Sequence, residues 1–119
     1  MTLVSELMAR GIPAGAAELI GQDAAATGLT ATGSSSQANA YAVASKFSVF
    51  STVAANSGAI LPARGRAIVV NGGANSLSLY PPVGGNINGG STNAAISVPA
   101  GKAAICESNG LTWGVIVSA

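Results

Sequence analysis

From Ala38 onward the chain is written in short runs of β-branched and aromatic residues, each cut off by Gly, Pro or Asn within about eight residues. These runs fall at 38–44, 46–53, 67–71, 76–80, 94–98, 102–107 and 112–117. Strands at such spacing predict an all-β fold, an antiparallel β-sandwich or barrel of the jelly-roll kind. The run "NSLSLYPP" turns Leu77 and Leu79 inward and Ser76, Ser78 and Tyr80 outward, and Pro81 with Pro82 ends it. In "KFSVFSTV" the apolar residues divide between the two faces, so both sides of that strand should meet apolar surface. Two hairpins are expected among the last three strands, one turning at Pro99-Ala100-Gly101 and one at Ser108-Asn109-Gly110.

Helical signals are confined to residues 2–21. Leu3, Leu7 and Met8 share a face, Gly11 can end that turn, and Pro13 can open a second one that runs to Ile20. Each piece is too short to hold its own helix in water, so the arm is expected to dock its apolar residues, Leu3, Leu7, Met8, Ile12, Leu19 and Ile20, on a neighbouring surface. Residues 22–37, rich in Ala, Gly, Ser and Thr, read as a linker. The chain thus divides into an arm and linker (1–37) and a β-domain (38–119).

Charge is scarce: 8% of residues are charged, against about a quarter in ordinary soluble proteins, and the net charge is +1. A surface this poor in charge is expected to be covered in part by copies of itself or by a larger partner. The five basic residues are dispersed, which argues against nucleic acid as a partner. No run approaches the roughly eighteen apolar residues of a membrane helix, and the opening lacks the basic lead of a signal peptide, so no membrane partner is expected. Arg64 and Arg66, set around Gly65, are the best candidates for an ionic contact with a partner. Phe50 and Trp113 are candidate subunit contacts, and for Trp113 a place in the core is the commoner fate.

Catalytic chemistry finds little to work with. The sequence contains no histidine, which removes Ser-His-Asp and Cys-His arrangements and histidine metal sites. Cys106 reads as a small buried hydrophobe. The stretch from Gly84 to Ser91 reads Gly-x-x-x-x-Gly-Gly-Ser, a phosphate-cradling loop without its lysine. It precedes a strand, whereas such loops feed helices, so it is expected to be a connection in which Ile87 plugs the core. No cofactor and no metal are expected.

The order of several small elements resembles small virion structural proteins of tailed bacteriophages. These are Leu61-Pro62, Asn71 with Gly72 and Gly73, Leu79-Tyr80-Pro81, Ile87-Asn88-Gly89, Ala100-Gly101-Lys102 and Trp113, and the opening "SELMARGIPAGAAELIG" is similar to the openings of such proteins. The likeness covers roughly residues 50 to 118. It implies a non-enzymatic head-decoration, or cement, protein: a β-structured homotrimer on the outer capsid surface that binds the major capsid protein. The alternative is a tail-fibre or adaptor module that binds a receptor or glycan through Trp113, Tyr80 and the Asn-rich loop.

Overall fold

The computed structural model describes residues 25–119, and among these every regular element is a strand. In chain order they are β1 (Ala26–Thr30), β2 (Tyr41–Ala42), β3 (Phe47–Thr52), β4 (Gly58–Ile60), β5 (Gly65–Asn71), β6 (Leu77–Tyr80), β7 (Asn86–Ile87), β8 (Ile96–Val98), β9 (Ala103–Ser108) and β10 (Thr112–Val117). They form a six-stranded sheet, ordered β1-β3-β5-β9-β10-β7, and a four-stranded sheet, ordered β2-β4-β6-β8. The helical turns expected in residues 2–21 lie outside the described residues.

Both sheets are mixed, which corrects the expectation of antiparallel pairing. β1 and β3, β3 and β5, β2 and β4, β4 and β6, and β7 and β10 all run parallel. The cause is in the connections. From β1 to β9 each strand is followed by one in the other sheet. In the crossings that lead up to β6 the chain leaves a sheet, crosses to the other and comes back having reversed twice, so it returns in its original direction; after that β8 pairs antiparallel with β6 and β9 antiparallel with β5. Parallel neighbours need such a crossover, and here a short strand of the opposite sheet supplies it in place of a helix.

Most of the Gly, Pro and Asn clusters are therefore corners between sheets. Pro99-Ala100-Gly101 carries the chain from β8 in the small sheet to β9 in the large one, so the first expected hairpin is absent. That corner is pinned to the end of β5: the Gly101 amide donates to the Asn71 carbonyl at 2.8 Å and the Asn71 amide to the Lys102 carbonyl at 2.9 Å. The second expected hairpin is present, with β9 and β10 antiparallel and Trp113 opposite Ser108.

The segment read as linker contributes β1, an edge strand in which Ala26 lies beside Ser48 and Leu29 beside Phe50. Its small side chains hide a strand because the pairing rests on backbone groups alone, and Gly28 breaks the register with φ +68°. β4 was equally illegible: three residues, the first of them a glycine, leave no period to read.

One apolar cluster joins the sheets, with Phe50, Val69, Ala104, Cys106 and Trp113 from the large sheet and Ala59, Leu77, Leu79 and Val98 from the small one. Tyr80, expected to face outward, is buried. A Cβ on Gly58 would lie 3.0 Å from the Tyr80 ring and 2.3 Å from the Ser78 carbonyl, so this bare backbone provides the space the ring occupies.

Asn71, at the end of β5, is fully buried and ties the layers together. Its Nδ2 donates to the Val98 carbonyl of the small sheet and to the Asn75 carbonyl, each at 2.8 Å, while its Oδ1 accepts from the Gly73 amide at 3.0 Å. Asn75 Nδ2 in turn donates to the Val53 carbonyl at 2.9 Å. Asn71→Leu keeps the volume and strands three backbone groups, so it should lower the unfolding free energy by about 3 kcal/mol. Urea denaturation checks this, and a loss under about 1 kcal/mol would show that the carboxamide does not tie the sheets. By contrast Ser48, whose buried hydroxyl has no hydrogen-bond partner among the described residues, should tolerate Ser48→Ala with unchanged or raised stability.

Candidate interaction surface

Strand alternation gives the large sheet an inner and an outer face. β3, β5, β9 and β10 turn Phe50, Val69, Cys106 and Trp113 inward, so Phe47, Ile68, Ile105 and Ile116 point out. The register then aligns these four. Phe47 is paired with Ile68, Ile68 with Ile105, and Ile105 with Ile116, one unbroken apolar row across four strands. Val49, Val70 and Ala103 form a second row beside it. Ile116 is 73% exposed, Ile105 57% and Phe47 38%. Aligned apolar side chains at that exposure make a patch, which scattered ones do not.

On the other flank of the row, Arg66 and Glu107 sit opposite each other on β5 and β9, with Arg66 Nη2 2.9 Å from Glu107 Oε1. Both are well exposed, so the pair contributes little to stability. Its effect is on character: a cation and an anion cancel at the rim, and the face stays nearly neutral. Of the two arginines expected to make ionic contacts, Arg66 thus has a partner within the chain, and Arg64 is exposed just before β5.

Phe50 and Trp113 are withdrawn as partner contacts, because both are fully buried within the chain. Phe50 meets the Tyr41 ring edge-on at 5.4 Å. Trp113 Nε1 donates to the Pro62 carbonyl at 3.1 Å, which satisfies the indole inside the core. The outward-facing apolar residues that sequence reasoning missed are Ile68, Ile105 and Ile116. Their signal was present in "GRAIVVN", "AAICES" and "TWGVIV" as apolar residues on both alternating faces, but only the strand register shows that they align. Leu3, Leu7, Met8, Ile12, Leu19 and Ile20 lie outside the described residues.

The glycine-rich loop is a connection. The amides of Gly84, Gly85, Asn86, Asn88 and Gly90 donate to Asn93 Oδ1 and to the carbonyls of Pro82, Leu111, Trp113 and Ile87 respectively, so these five are not free to cradle an anion. Gly85 is required for closeness, since a Cβ there would sit 2.4 Å from the Leu111 carbonyl. Ile87 is buried in β7, as its place in the loop led us to expect. Asn88 extends the β7–β10 ladder by its side chain: Oδ1 accepts from the Val115 amide at 2.8 Å and Nδ2 donates to the Val115 carbonyl at 3.0 Å.

Among the described residues no three His, Cys, Asp or Glu side chains gather as a metal site would require. Burial pushes the Cys106 thiol up to about 12, so the thiolate that nucleophilic chemistry needs is scarce at neutral pH. Comparison with protein-family models, with curated proteins and with solved structures finds no match.

Two measurements test these assignments. Arg66→Ala should change the unfolding free energy by no more than about 1 kcal/mol, and a larger loss in urea denaturation would mean the exposed pair holds the sheet. A thiol pKa raised by folding makes a contribution that is whole below the unfolded value near 9.0 and declines as pH climbs toward about 12. Between those limits the native chain should lose stability more steeply than Cys106→Ala; parallel curves would contradict the assigned burial.

Proposed function

We propose that this chain is a non-enzymatic assembly protein of the tailed-bacteriophage virion, a capsid decoration or cement protein that binds the major capsid protein on the outer surface of the head. The observation that carries this reading is the apolar row Phe47–Ile68–Ile105–Ile116, displayed on a rigid, nearly neutral sheet. The order of motifs that resembles virion structural proteins supports it independently. The two sheets are read as the layers of a β-sandwich whose inner faces make the core and whose larger outer face meets the partner.

The mechanism is burial multiplied by repetition. A fully buried isoleucine contributes about 1.5–3 kcal/mol, so one patch of this size binds weakly. A homotrimer on a repeating lattice engages several patches at once, and overall avidity rises well above any single contact. Leu3, Leu7, Met8, Ile12, Leu19 and Ile20 add an apolar arm to each subunit, and Arg64 offers a charge at the edge of the footprint.

The alternative of a glycan-binding tail module has lost its stacking platform, since Trp113 and Tyr80 are both buried. The histidine-free sequence and the buried thiol favour a structural role over catalysis.

Quantitative mass spectrometry of purified virus particles should find this chain in a number close to that of the major capsid protein. A handful of copies per particle would move it to the tail or a single vertex, and absence would remove the virion reading. An Ile105→Asp and Ile116→Asp double variant should fold and lose capsid affinity by at least about tenfold, the equivalent of 1.4 kcal/mol. Unchanged co-sedimentation with capsids would show that another surface makes the contact.

A further inference from the structure

We propose that Asn109 is a self-modification site: its carboxamide is converted to a carboxylate through a succinimide closed by the Gly110 amide, and the fold confines this reaction to the turn between β9 and β10. The sequence offers Asn-Gly three times, at Asn71-Gly72, Asn88-Gly89 and Asn109-Gly110. A glycine after asparagine favours ring closure, because it carries no side chain to hinder the approach of its nitrogen to the carboxamide carbon. As sequence the three are equivalent, and the structure separates them.

Two of the three are held. Asn71 is fully buried, with Nδ2 donating to two carbonyls and Oδ1 accepting from the Gly73 amide. The nitrogen that would attack it is engaged as well, since the Gly72 amide donates to the Phe50 carbonyl at 2.8 Å. Asn88 is clamped at both ends of its carboxamide by the amide and carbonyl of Val115. Either site must open locally before it can react. Asn109 differs on each count. It is exposed, and among the described residues neither its carboxamide nor the Gly110 amide makes a hydrogen bond. Gly110 takes φ +122°, and beyond its chain neighbours no atom lies within 4 Å of where its Cβ would stand, so the turn is open around it.

The steps need only water. Hydroxide removes the Gly110 amide proton and the nitrogen bonds to Asn109 Cγ. The bond from Cγ to the side-chain nitrogen breaks, and that nitrogen takes a proton from water and leaves as ammonia. Water then opens the ring at either carbonyl. Cleavage at Cγ leaves an ordinary aspartate, whereas cleavage at the main-chain carbonyl leaves an iso-aspartate whose Cβ has entered the backbone of the turn. Nothing is oxidised or reduced. Both products are ionised at neutral pH, which takes the net charge from +1 to zero. Gly65 is paired with Ser108, so continuing the register sets the new carboxylate level with Arg64. The reaction does not depend on the decoration reading, because it needs no partner.

The test incubates the full-length folded chain at mildly alkaline pH and follows the converted fraction of each Asn-Gly site by peptide mass spectrometry. Asn109 should convert at least about tenfold faster than Asn71 and Asn88, the ratio expected when the held sites react only through local opening. In urea, with the chain unfolded, the three rates should converge. Equal rates in the folded chain would overturn the proposal. A preference for Asn109 that persists unchanged in urea would overturn it too, because local sequence and not the fold would then choose the site. Asn109→Gln, whose longer side chain must close a larger and slower ring, should remove most of the acidic species that ion exchange resolves as the native chain ages. Its appearance at the native rate would overturn the assignment to Asn109. None of these readouts involves capsids, so failure here is separate from failure of the proposed function.

Discussion

The polypeptide passes from one sheet to the other at each step from β1 to β9, and almost everything else in the structure follows from that alternation. Up to β6 successive strands of one sheet come back parallel, corners stand where hairpins would be expected, and each sheet is assembled from pieces far apart in the chain. Short corners of this kind bury backbone groups near the strand ends, where no ladder reaches them. The fold meets that need with asparagine side chains. Asn71 spans the layers, Asn75 holds Val53, and Asn88 continues a ladder with its own amide. The carboxamide suits this task because it offers donors and an acceptor on one short stem.

Part of this was legible in residues. Period-two spacing in "NSLSLYPP" placed Leu77 and Leu79 in the core, and Asn109-Gly110 marked the hairpin of β9 and β10, since that dipeptide accommodates the twist of the strands it joins. Ile87 betrayed itself as a lone large residue among glycines. What stayed hidden was non-local. Whether a glycine-rich turn makes a hairpin or a corner depends on which sheet the next strand joins, and no local spacing records that. β1 had no apolar period, and Tyr80 broke its alternation because Gly58 leaves room beneath the ring. The candidate surface was half legible: strand 46–53 was expected to meet apolar material on both faces, while the row itself emerged only when three independent registers coincided.

The scarcity of charge takes on a local meaning in this light. The outer face of the large sheet carries an ion pair whose members neutralise each other, next to side chains that water does not favour. A protein that spent its life alone would gain from charges across such a face, which keep sheets from sticking to one another.

β10 lies between β9 and β7, yet it comes after every other described strand in the chain. In the large sheet β7 is bonded to β10 alone, and β5 must wait for β9. A ribosome-bound chain that has exposed its first eight strands still holds an open sheet with Trp113 missing from the middle of its core. Folding is thus postponed until the whole domain has emerged, and the many distant pairings that then form together imply slow, cooperative closure with no stable half-product. In a cell producing many copies at once, that interval of incompleteness is when the chain is most exposed to aggregation.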